Sequence, residues 1–325
     1  MKEVSNKSMN TLKESVDYLN LYFDYLKYER NYSMYTIKAY LKDISDFKLF
    51  FTKEGFCESY LEIKRLKTVE LYLGYLRKQK GRDNEKQTNR SIARKLSSLR
   101  GFYRFLKLKG FIEINVFENI ESVKIDQPLA KRIDNKEIEL LFKSIILNTP
   151  LNIRNYLILD MLILLGIRAS EITAIKLQDI NISRGDILIH GKGSKDRLLP
   201  LTTPLMRELQ DYIAYTRVIL INKSRQENFS DILLLNKNGD PLTVRGLQKI
   251  LISLVKKTGE TYKIHPHMIR HSFASEMLKN GADLRVIQEL LGHESIKTTQ
   301  KYTQISNEDL FKNYQQKMGK IKNKE

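Results

Sequence analysis

Residues 265–271 read His-Pro-His-Met-Ile-Arg-His, and this heptapeptide holds three of the five histidines in a chain of 325 residues. Helical periodicity continues from His267 to Lys279, which predicts a helix starting within the heptapeptide. On such a helix His267 and Arg270 are three residues apart and share a face, so an imidazole and a guanidinium can approach the same ligand. The segment therefore predicts a polar site near the start of this helix.

A metal site is a weaker interpretation of the same segment. His271 lies one helical turn after His267, but Met268 stands where a zinc hydrolase needs a glutamate. We therefore expect His271 to be a packed or hydrogen-bonded support residue, with no metal bound. Cys57 is the one cysteine, which excludes a disulfide framework or a multi-cysteine metal site. The sequence also lacks phosphate-loop, GxSxG and HExxH motifs.

Further polar features surround this segment in the second part of the chain. A buried helix is predicted over residues 155–165, and Gly166 ends it just before Arg168. Taken alone, Arg168 reads as a cation at a helix C-terminus, favourable with the helix dipole. Residues 186–201 predict two short strands joined by the turn 191–195. Further helical patterns occupy residues 204–221, 244–256, 284–290 and 295–302.

The first third of the chain reads as helical and basic. Ser33 is a plausible N-cap for one helix, and a longer helix is predicted over about residues 88–109. That helix presents four arginines on the face opposite its apolar residues: Arg90, Arg94, Arg100 and Arg104. No acidic residue interrupts Lys86 to Lys109, whereas a solvated helix usually mixes charge signs. The basic face thus favours a helix that binds a DNA groove.

A linker separates the two parts, because apolar periodicity stops near residues 123–132. Asp134 and Glu137 have capping-box spacing, which starts the next helix. We therefore predict four segments, with bounds 1–125, 126–131 (linker), 132–305 and 306–325. The last segment carries one apolar stripe, formed by Leu310, Phe311, Tyr314 and Met318.

The composition points to a polyanionic partner. The formal charge is +18, and the excess is shared, with 25 basic and 16 acidic residues in 1–125 and 31 and 22 in 126–325. Two basic domains suggest a clamp on nucleic acid, and a membrane surface or an acidic protein is less favoured. The start of the chain has no apolar signal core, and Asp160 breaks the most apolar run. We therefore expect a soluble, cytoplasmic protein.

Five motifs in order resemble the tyrosine recombinase (phage integrase) family: LGIRASE at 165–171, GKGSKDR at 191–197, HMIRH at 267–271, LGH at 291–293 and a tyrosine at 302. Residues 94–106 are similar to the core-binding domain of that family. The resemblance implies a mainly α fold with a small β-sheet. It divides into an N-terminal helical core-binding (SAM-like) domain and an α+β catalytic domain.

The resemblance also implies a set of residues that cleaves a phosphodiester: Arg168, Lys192, His267, Arg270, His293 and Tyr302. The two arginines would hold the scissile phosphate, Tyr302 would attack it, and Lys192 would protonate the leaving 5′ oxygen. Glu171 would orient its neighbours, and no metal or other cofactor is needed. Lys195 competes with Lys192 for the same role or for DNA contact, and His293 could instead serve as a helix cap.

The function implied is a site-specific recombinase that works through a 3′-phosphotyrosyl intermediate on double-stranded DNA. Strand exchange needs four active sites, so we expect a homotetramer on DNA, with or without a second recombinase. We expect the segment 306–325 to dock on a neighbouring protomer rather than fold back on its own domain. Xer-like dimer resolution is favoured over mobile-element integration or excision. A topoisomerase IB-like relaxing enzyme and a non-catalytic architectural protein are compatible with the sequence but less favoured.

Overall fold

The chain divides into two units, Met1–Pro128 and Leu129–Glu325. The computed structural model describes residues 17–55, 59–79, 87–121, 123–124, 133–191, 196–224, 230–261, 264–292 and residue 314. In these residues helices predominate and the strands form one small sheet, which confirms the expected mainly α fold class. Among the helices described, none is both long and apolar enough to cross a membrane.

The described helices of the first unit are α1 (Tyr18–Asp24), α2 (Met34–Lys53), α3 (Leu66–Lys78) and α4 (Asn89–Leu108). Helix α1 continues into one π-helical turn, Tyr25–Glu29, and a short 3-10 turn spans Tyr60–Glu62. The predicted N-cap at Ser33 is confirmed, and Thr88 caps α4 in the same way. The hydroxyl of Ser33 accepts a hydrogen bond from the backbone N–H of Thr36, and Thr88 does the same for Ser91, both at 3.2 Å.

Aromatic rings fill the core of this unit. Phe47 of α2 meets Tyr72 of α3 with ring centroids 4.9 Å apart, and Tyr103 of α4 meets Phe117 at 4.6 Å. All four side chains are buried. Edge-to-face and tilted pairs of this kind add to the free energy gained by burying the rings. The apolar faces of these helices are therefore buried against one another within the first unit.

The second unit contains the remaining elements. The described helices are α5 (Asn135–Lys143), α6 (Pro150–Leu165), α7 (Ala169–Ile172), α8 (Thr203–Asp211), α9 (Arg217–Ile221), α10 (Val244–Lys257), α11 (Pro266–Lys279) and α12 (Leu284–Leu291). A π-helical turn, Tyr212–Thr216, joins α8 to α9, and a 3-10 turn spans Leu177–Asp179. Helix α5 begins with the predicted capping box of Asp134 and Glu137.

Helix α6 is the centre of this unit, because its last nine residues, all apolar except Asp160, are buried. It starts at Pro150, earlier than predicted, since Thr149 caps it and Pro150 suits its first turn. Gly166 ends it with φ 58°, a left-handed conformation that favours glycine. A Cβ atom at Gly166 would also lie only 2.4 Å from the ring of Phe273.

The sheet is antiparallel with the order β1 (Ile180–Asn181), β2 (Asp186–Ile189) and β3 (Arg197–Pro200). The β2–β3 ladder pairs Asp186 with Pro200 and ends with Ile189 opposite Arg197. The two predicted strands are confirmed. Strand β1 was missed because two residues are too short to show alternation. The turn residues 192–195 lie outside the described residues.

Tyr314 lies in the core of its own unit. Its side chain is 1% exposed, and its hydroxyl donates a hydrogen bond to the carbonyl oxygen of Leu164 at 2.8 Å. Docking of residues 306–325 on a neighbouring protomer stays a prediction, because Tyr314 is the one residue of that segment that the structure describes. The remaining residues of 306–325 lie outside the described residues.

Candidate active site

Glu171 is the centre of a cluster of charged side chains. Its carboxylate, 5% exposed, accepts hydrogen bonds from the backbone N–H of Arg168 at 2.8 Å and from the Arg168 guanidinium at 2.6 Å. Arg197 binds both carboxylate oxygens, at 3.2 and 2.8 Å. Arg270 Nη1 lies 4.0 Å from Glu171 Oε2. One buried anion therefore holds three guanidiniums together.

The charges of this cluster shift the pKa values of its members. Burial alone would raise the pKa of Glu171, but hydrogen bonds from Arg197 and Arg168 outweigh it and hold the pKa at about 2. Burial lowers the pKa of Arg270 to about 10, with Arg168 acting in the same direction and Glu171 against it. At neutral pH Glu171 is therefore an anion and Arg270 a cation.

The same three arginines bind consecutive carbonyl oxygens at the end of α12. Arg197 Nε donates to Leu290 O at 2.7 Å, Arg270 Nη2 donates to Leu291 O, and Arg168 Nη2 donates to Gly292 O at 3.1 Å. A helix leaves its last carbonyls without partners inside the helix, and cations near them are favourable. The end of α12 is thus fixed by the arginine cluster just before position 293.

Local structure explains how two of the arginines meet. Arg168 follows the left-handed Gly166 and is extended, at φ −75° and ψ 155°, so it stands at the N-cap position of α7 rather than at the end of α6. Arg270 lies in the second turn of α11, and its Nη1 donates to the carbonyl of Gly166 at 2.8 Å. The side chain of Arg168 is 42% exposed, whereas that of Arg270 is 5% exposed.

His267 is exposed on α11 beside this cluster. The protein around the ring still removes part of its hydration, which lowers its pKa, and the neighbouring His271, Arg270 and Arg168 lower the pKa further. The rings of His267 and His271 meet edge to face with centroids 5.9 Å apart. His271 is itself exposed, so its contact with His267 is the packing that the structure describes for it, and its role as a packed or hydrogen-bonded support residue stays a prediction. Among the described residues, no three His, Cys, Asp or Glu side chains are grouped so as to hold a metal ion.

Several predicted residues lie outside the described residues: Cys57, Lys192, Lys195, His293 and Tyr302. Arg197, by contrast, joins the site although sequence reasoning assigned it no role. Its signal was its place at the end of the 191–197 motif, where a charged residue opens an otherwise apolar strand.

The four arginines of α4 differ in their surroundings. Arg94 forms a bidentate pair with the buried Asp43 of α2, which also accepts a hydrogen bond from Ser98 at 2.7 Å. Arg100 donates to backbone carbonyls that follow α4, including that of Phe117 at 3.3 Å. Arg94 and Arg100 are thus engaged within the protein, which the prediction of a basic DNA-binding face did not foresee. Arg90, Arg94 and Arg104 are exposed, but of these only Arg94 is paired with a carboxylate among the described contacts.

Known protein families match both units of the chain. Residues 131–309 match the model of the phage integrase family, and residues 19–110 match the model of the phage integrase N-terminal SAM-like domain. The chain is 39% identical to "Tyrosine recombinase XerC" of Bacillus licheniformis over 298 residues, covering 92% of this chain and 95% of that protein. The protein of the same name from Listeria monocytogenes serovar 1/2a is 41% identical, covering 90% and 94%. The chain therefore belongs to the phage integrase family of tyrosine recombinases.

Solved structures share the fold. XerH site-specific recombinase bound to palindromic difH substrate, in a post-cleavage complex, gives a TM-score of 0.63 at 22% identity, covering 99% of this chain and 86% of that one. A lambda integrase tetramer bound to a Holliday junction gives 0.62 at 19% identity, covering 88% and 79%. At these identities the likeness concerns the fold alone.

Proposed function

We propose that this chain breaks and rejoins DNA strands at specific sites through a covalent link between Tyr302 and a 3′ phosphate. The observation that carries this proposal is the convergence of Arg168, Arg197 and Arg270 on the carboxylate of Glu171. A phosphodiester under attack gains negative charge on its non-bridging oxygens. Fixed guanidiniums stabilise that charge without a metal, because they are permanently cationic and offer paired donors.

The first step is a balanced exchange of esters. The phenolic oxygen of Tyr302 forms a bond to phosphorus while the bond from phosphorus to the 5′ oxygen breaks. His267 accepts the phenolic proton, which its lowered pKa supports because the imidazole is then neutral near pH 7. Lys192 supplies a proton to the 5′ oxygen, and His293 lies beside the phosphate. The reverse step reseals the strand, and since one phosphate ester replaces another, no ATP is needed.

The partners follow from the charge and from the relatives. We propose double-stranded DNA as substrate, bound in part by the exposed Arg90 and Arg104. Two of the similar structures are a lambda integrase dimer bound to a core site and a lambda integrase tetramer bound to a Holliday junction, which supports a homotetramer here. A likeness to XerC recombinases over nearly the whole chain supports strand exchange rather than topoisomerase-like relaxation or an architectural role. It also favours Xer-like dimer resolution.

The domain bounds belong to the same proposal. We assign residues 1–125 to core binding, 126–131 to a linker, 132–305 to catalysis and 306–325 to a C-terminal tail that docks on a neighbouring protomer. The division of the chain after Pro128 supports a boundary in this region.

A covalent-adduct assay tests the reaction. Duplexes that the protein binds are first selected from a random library, and a version nicked near the cleavage point is then used to trap the intermediate. We expect the unchanged protein to form an adduct, and Tyr302→Phe to bind the same duplex without forming one. Tyr215→Phe, at a tyrosine that is 70% exposed, is the matched control and retains the adduct. An adduct formed by Tyr302→Phe would refute this assignment of the nucleophile.

A further inference from the structure

His190 bridges two carboxylates at the turn end of the β2–β3 hairpin. Its Nδ1 lies 2.8 Å from Asp196 Oδ2, and its Nε2 lies 3.1 Å from Asp179 Oδ1. His190 is the first histidine of the chain and takes no part in the cluster around Glu171. It follows the last residue of β2, and Asp196 precedes the first residue of β3. The three side chains, called the hairpin clamp below, therefore close the hairpin where its ladder ends.

Asp179 is the fixed side of the hairpin clamp. Its side chain is 3% exposed, and its second oxygen accepts the backbone N–H of Lys176 at 2.8 Å, within the 3-10 turn that precedes β1. The anchor thus belongs to a part of the chain outside the hairpin. His190 and Asp196 are 47% and 42% exposed, so they are held by the anchor and by each other rather than by burial.

Asp196 connects the two arms of the hairpin twice. One oxygen faces the ring of His190, and the other accepts the backbone N–H of Gly191 at 3.2 Å. The last ladder pair, Ile189 and Arg197, lies directly beneath these contacts. Positions 191 and 196 are therefore tied across the base of the turn. Lys192 follows the first of them, and Lys195 precedes the second.

The electrostatic surroundings favour a charged ring. The charged side chains that the described structure places against His190 are Asp196 and Asp179, whose hydrogen bonds raise the pKa of His190. Neighbouring cations point elsewhere, since Lys176 pairs with Asp231 and Arg197 pairs with Glu171. An imidazolium donates from both nitrogens, whereas a neutral ring donates from one. The protonated ring is thus the form that holds both carboxylates.

We propose that His190 is a positioning residue. Together with Asp179 and Asp196 it holds the base of the turn between β2 and β3, so that a lysine of this turn reaches the leaving 5′ oxygen. This inference rests on the proposed function, in which Lys192 donates that proton. It applies equally if Lys195 is the donor, because each lysine is within two residues of a clamp member. Loss of the clamp should therefore slow proton donation while leaving the phosphate site around Glu171 intact.

Cleavage rates on two substrates, of which only one needs a proton on its leaving group, distinguish a defect in proton donation from a defect in any other step. Single-turnover cleavage is measured on the nicked duplex and on the same duplex with sulfur in place of the bridging 5′ oxygen. A thiolate is a far better leaving group, since a thiol has a pKa of about 8.5, and it departs without a proton. The variants are His190→Ala and Asp196→Asn. The matched control is Arg184→Lys, which keeps a cation beside the buried Asp186 at the far end of the same strand.

General acid catalysis contributes roughly 10²- to 10⁴-fold, and a misplaced acid forfeits part of it, so we expect both clamp variants to cleave the oxygen substrate about tenfold more slowly. On the sulfur substrate they should match the unchanged protein, and Arg184→Lys should match it on both. A merely structural loss would slow both substrates equally, and that result would overturn the inference. So would an unchanged rate on the oxygen substrate.

Lys192→Ala and Lys195→Ala keep this test distinct from a test of the proposed function. If the sulfur substrate restores cleavage by neither lysine variant, the assignment of proton donation to Lys192 or Lys195 is refuted, independently of the results for the hairpin clamp variants. If it restores cleavage by one of them but not by His190→Ala, the proposed function stands and the positioning role of His190 fails. Restoration in both cases supports the inference.

Discussion

Replacing Glu171 by glutamine removes the negative charge shared by three guanidiniums and keeps almost the same side-chain shape. Two of these cations, Arg197 and Arg270, are only 10% and 5% exposed, so water cannot take the place of the carboxylate. Removing one partner from a buried ion pair costs about 3–5 kcal/mol. We therefore expect Glu171→Gln to lower the free energy of unfolding of the second unit by about 3 kcal/mol near pH 7.

The pKa of Glu171 gives the same magnitude independently. It is held at about 2, against an ordinary value of 4.5. Since one pKa unit corresponds to about 1.4 kcal/mol, this difference is worth about 3 kcal/mol. Because the pKa is lower in the folded state, the stabilisation is complete above pH 4.5 and is lost as the pH falls from there towards 2.

Calorimetric thermal unfolding measures this effect. For a unit of about 200 residues, a loss of 3 kcal/mol lowers Tm by roughly 6–12 °C. The difference between Glu171→Gln and the unchanged protein should shrink by roughly 1 kcal/mol at about pH 3.5, because the unfolded chain is by then protonated at Glu171 whereas the folded protein is not. Glu139→Gln, in an exposed pair with Lys143, is the matched control and should change little. Equal Tm values near pH 7, or a difference that ignores pH, would refute the reasoning.

Two further comparisons test separate assignments. Arg94→Ala should lower the free energy of unfolding of the first unit by about 1–2 kcal/mol, because the buried Asp43 loses its bidentate partner. Arg104→Ala should leave stability unchanged but weaken DNA binding, and the slope of log K against log salt concentration should fall in magnitude by about 0.9. The reverse pattern in unfolding and salt-titration measurements would contradict these assignments. Tyr314→Phe should cost about 1–3 kcal/mol, because the carbonyl of Leu164 loses its hydrogen-bond donor, and an unchanged unfolding midpoint would show that this contact is absent in solution.

Features set by neighbouring residues in the chain were predictable from the sequence. Ser33 and Thr88 cap helices through residues three positions away, and Gly166 ends a helix through its own backbone conformation. The hairpin was predictable because its strands flank one turn. In each case the physical cause lies within a few residues, so a local pattern is enough to reveal it.

The roles that sequence reasoning missed depend on contacts between distant residues. The helix carrying Arg94 contains no acid, yet Asp43 reaches it from another helix, 51 residues away in the chain. Arg197 meets Glu171 across 26 residues and the carbonyl of Leu290 across 93. No periodicity encodes such pairings, because they follow from how the elements pack. A basic helix face in the sequence therefore does not distinguish arginines that bind a ligand from arginines that bind the fold.

The contacts within the arginine cluster indicate different roles for Arg168 and Arg270. Those described for Arg168 use two of the five N–H groups of a guanidinium, and the side chain is 42% exposed, so it retains donors for a phosphate. Arg270 is 5% exposed and donates to the carbonyls of Gly166 and Leu291. We expect Arg168 to make the more adaptable phosphate contact and Arg270 to act chiefly as a fixed charge. Because both also bind the end of α12, a phosphate that draws Arg168 away from Gly292 must also alter the support of position 293.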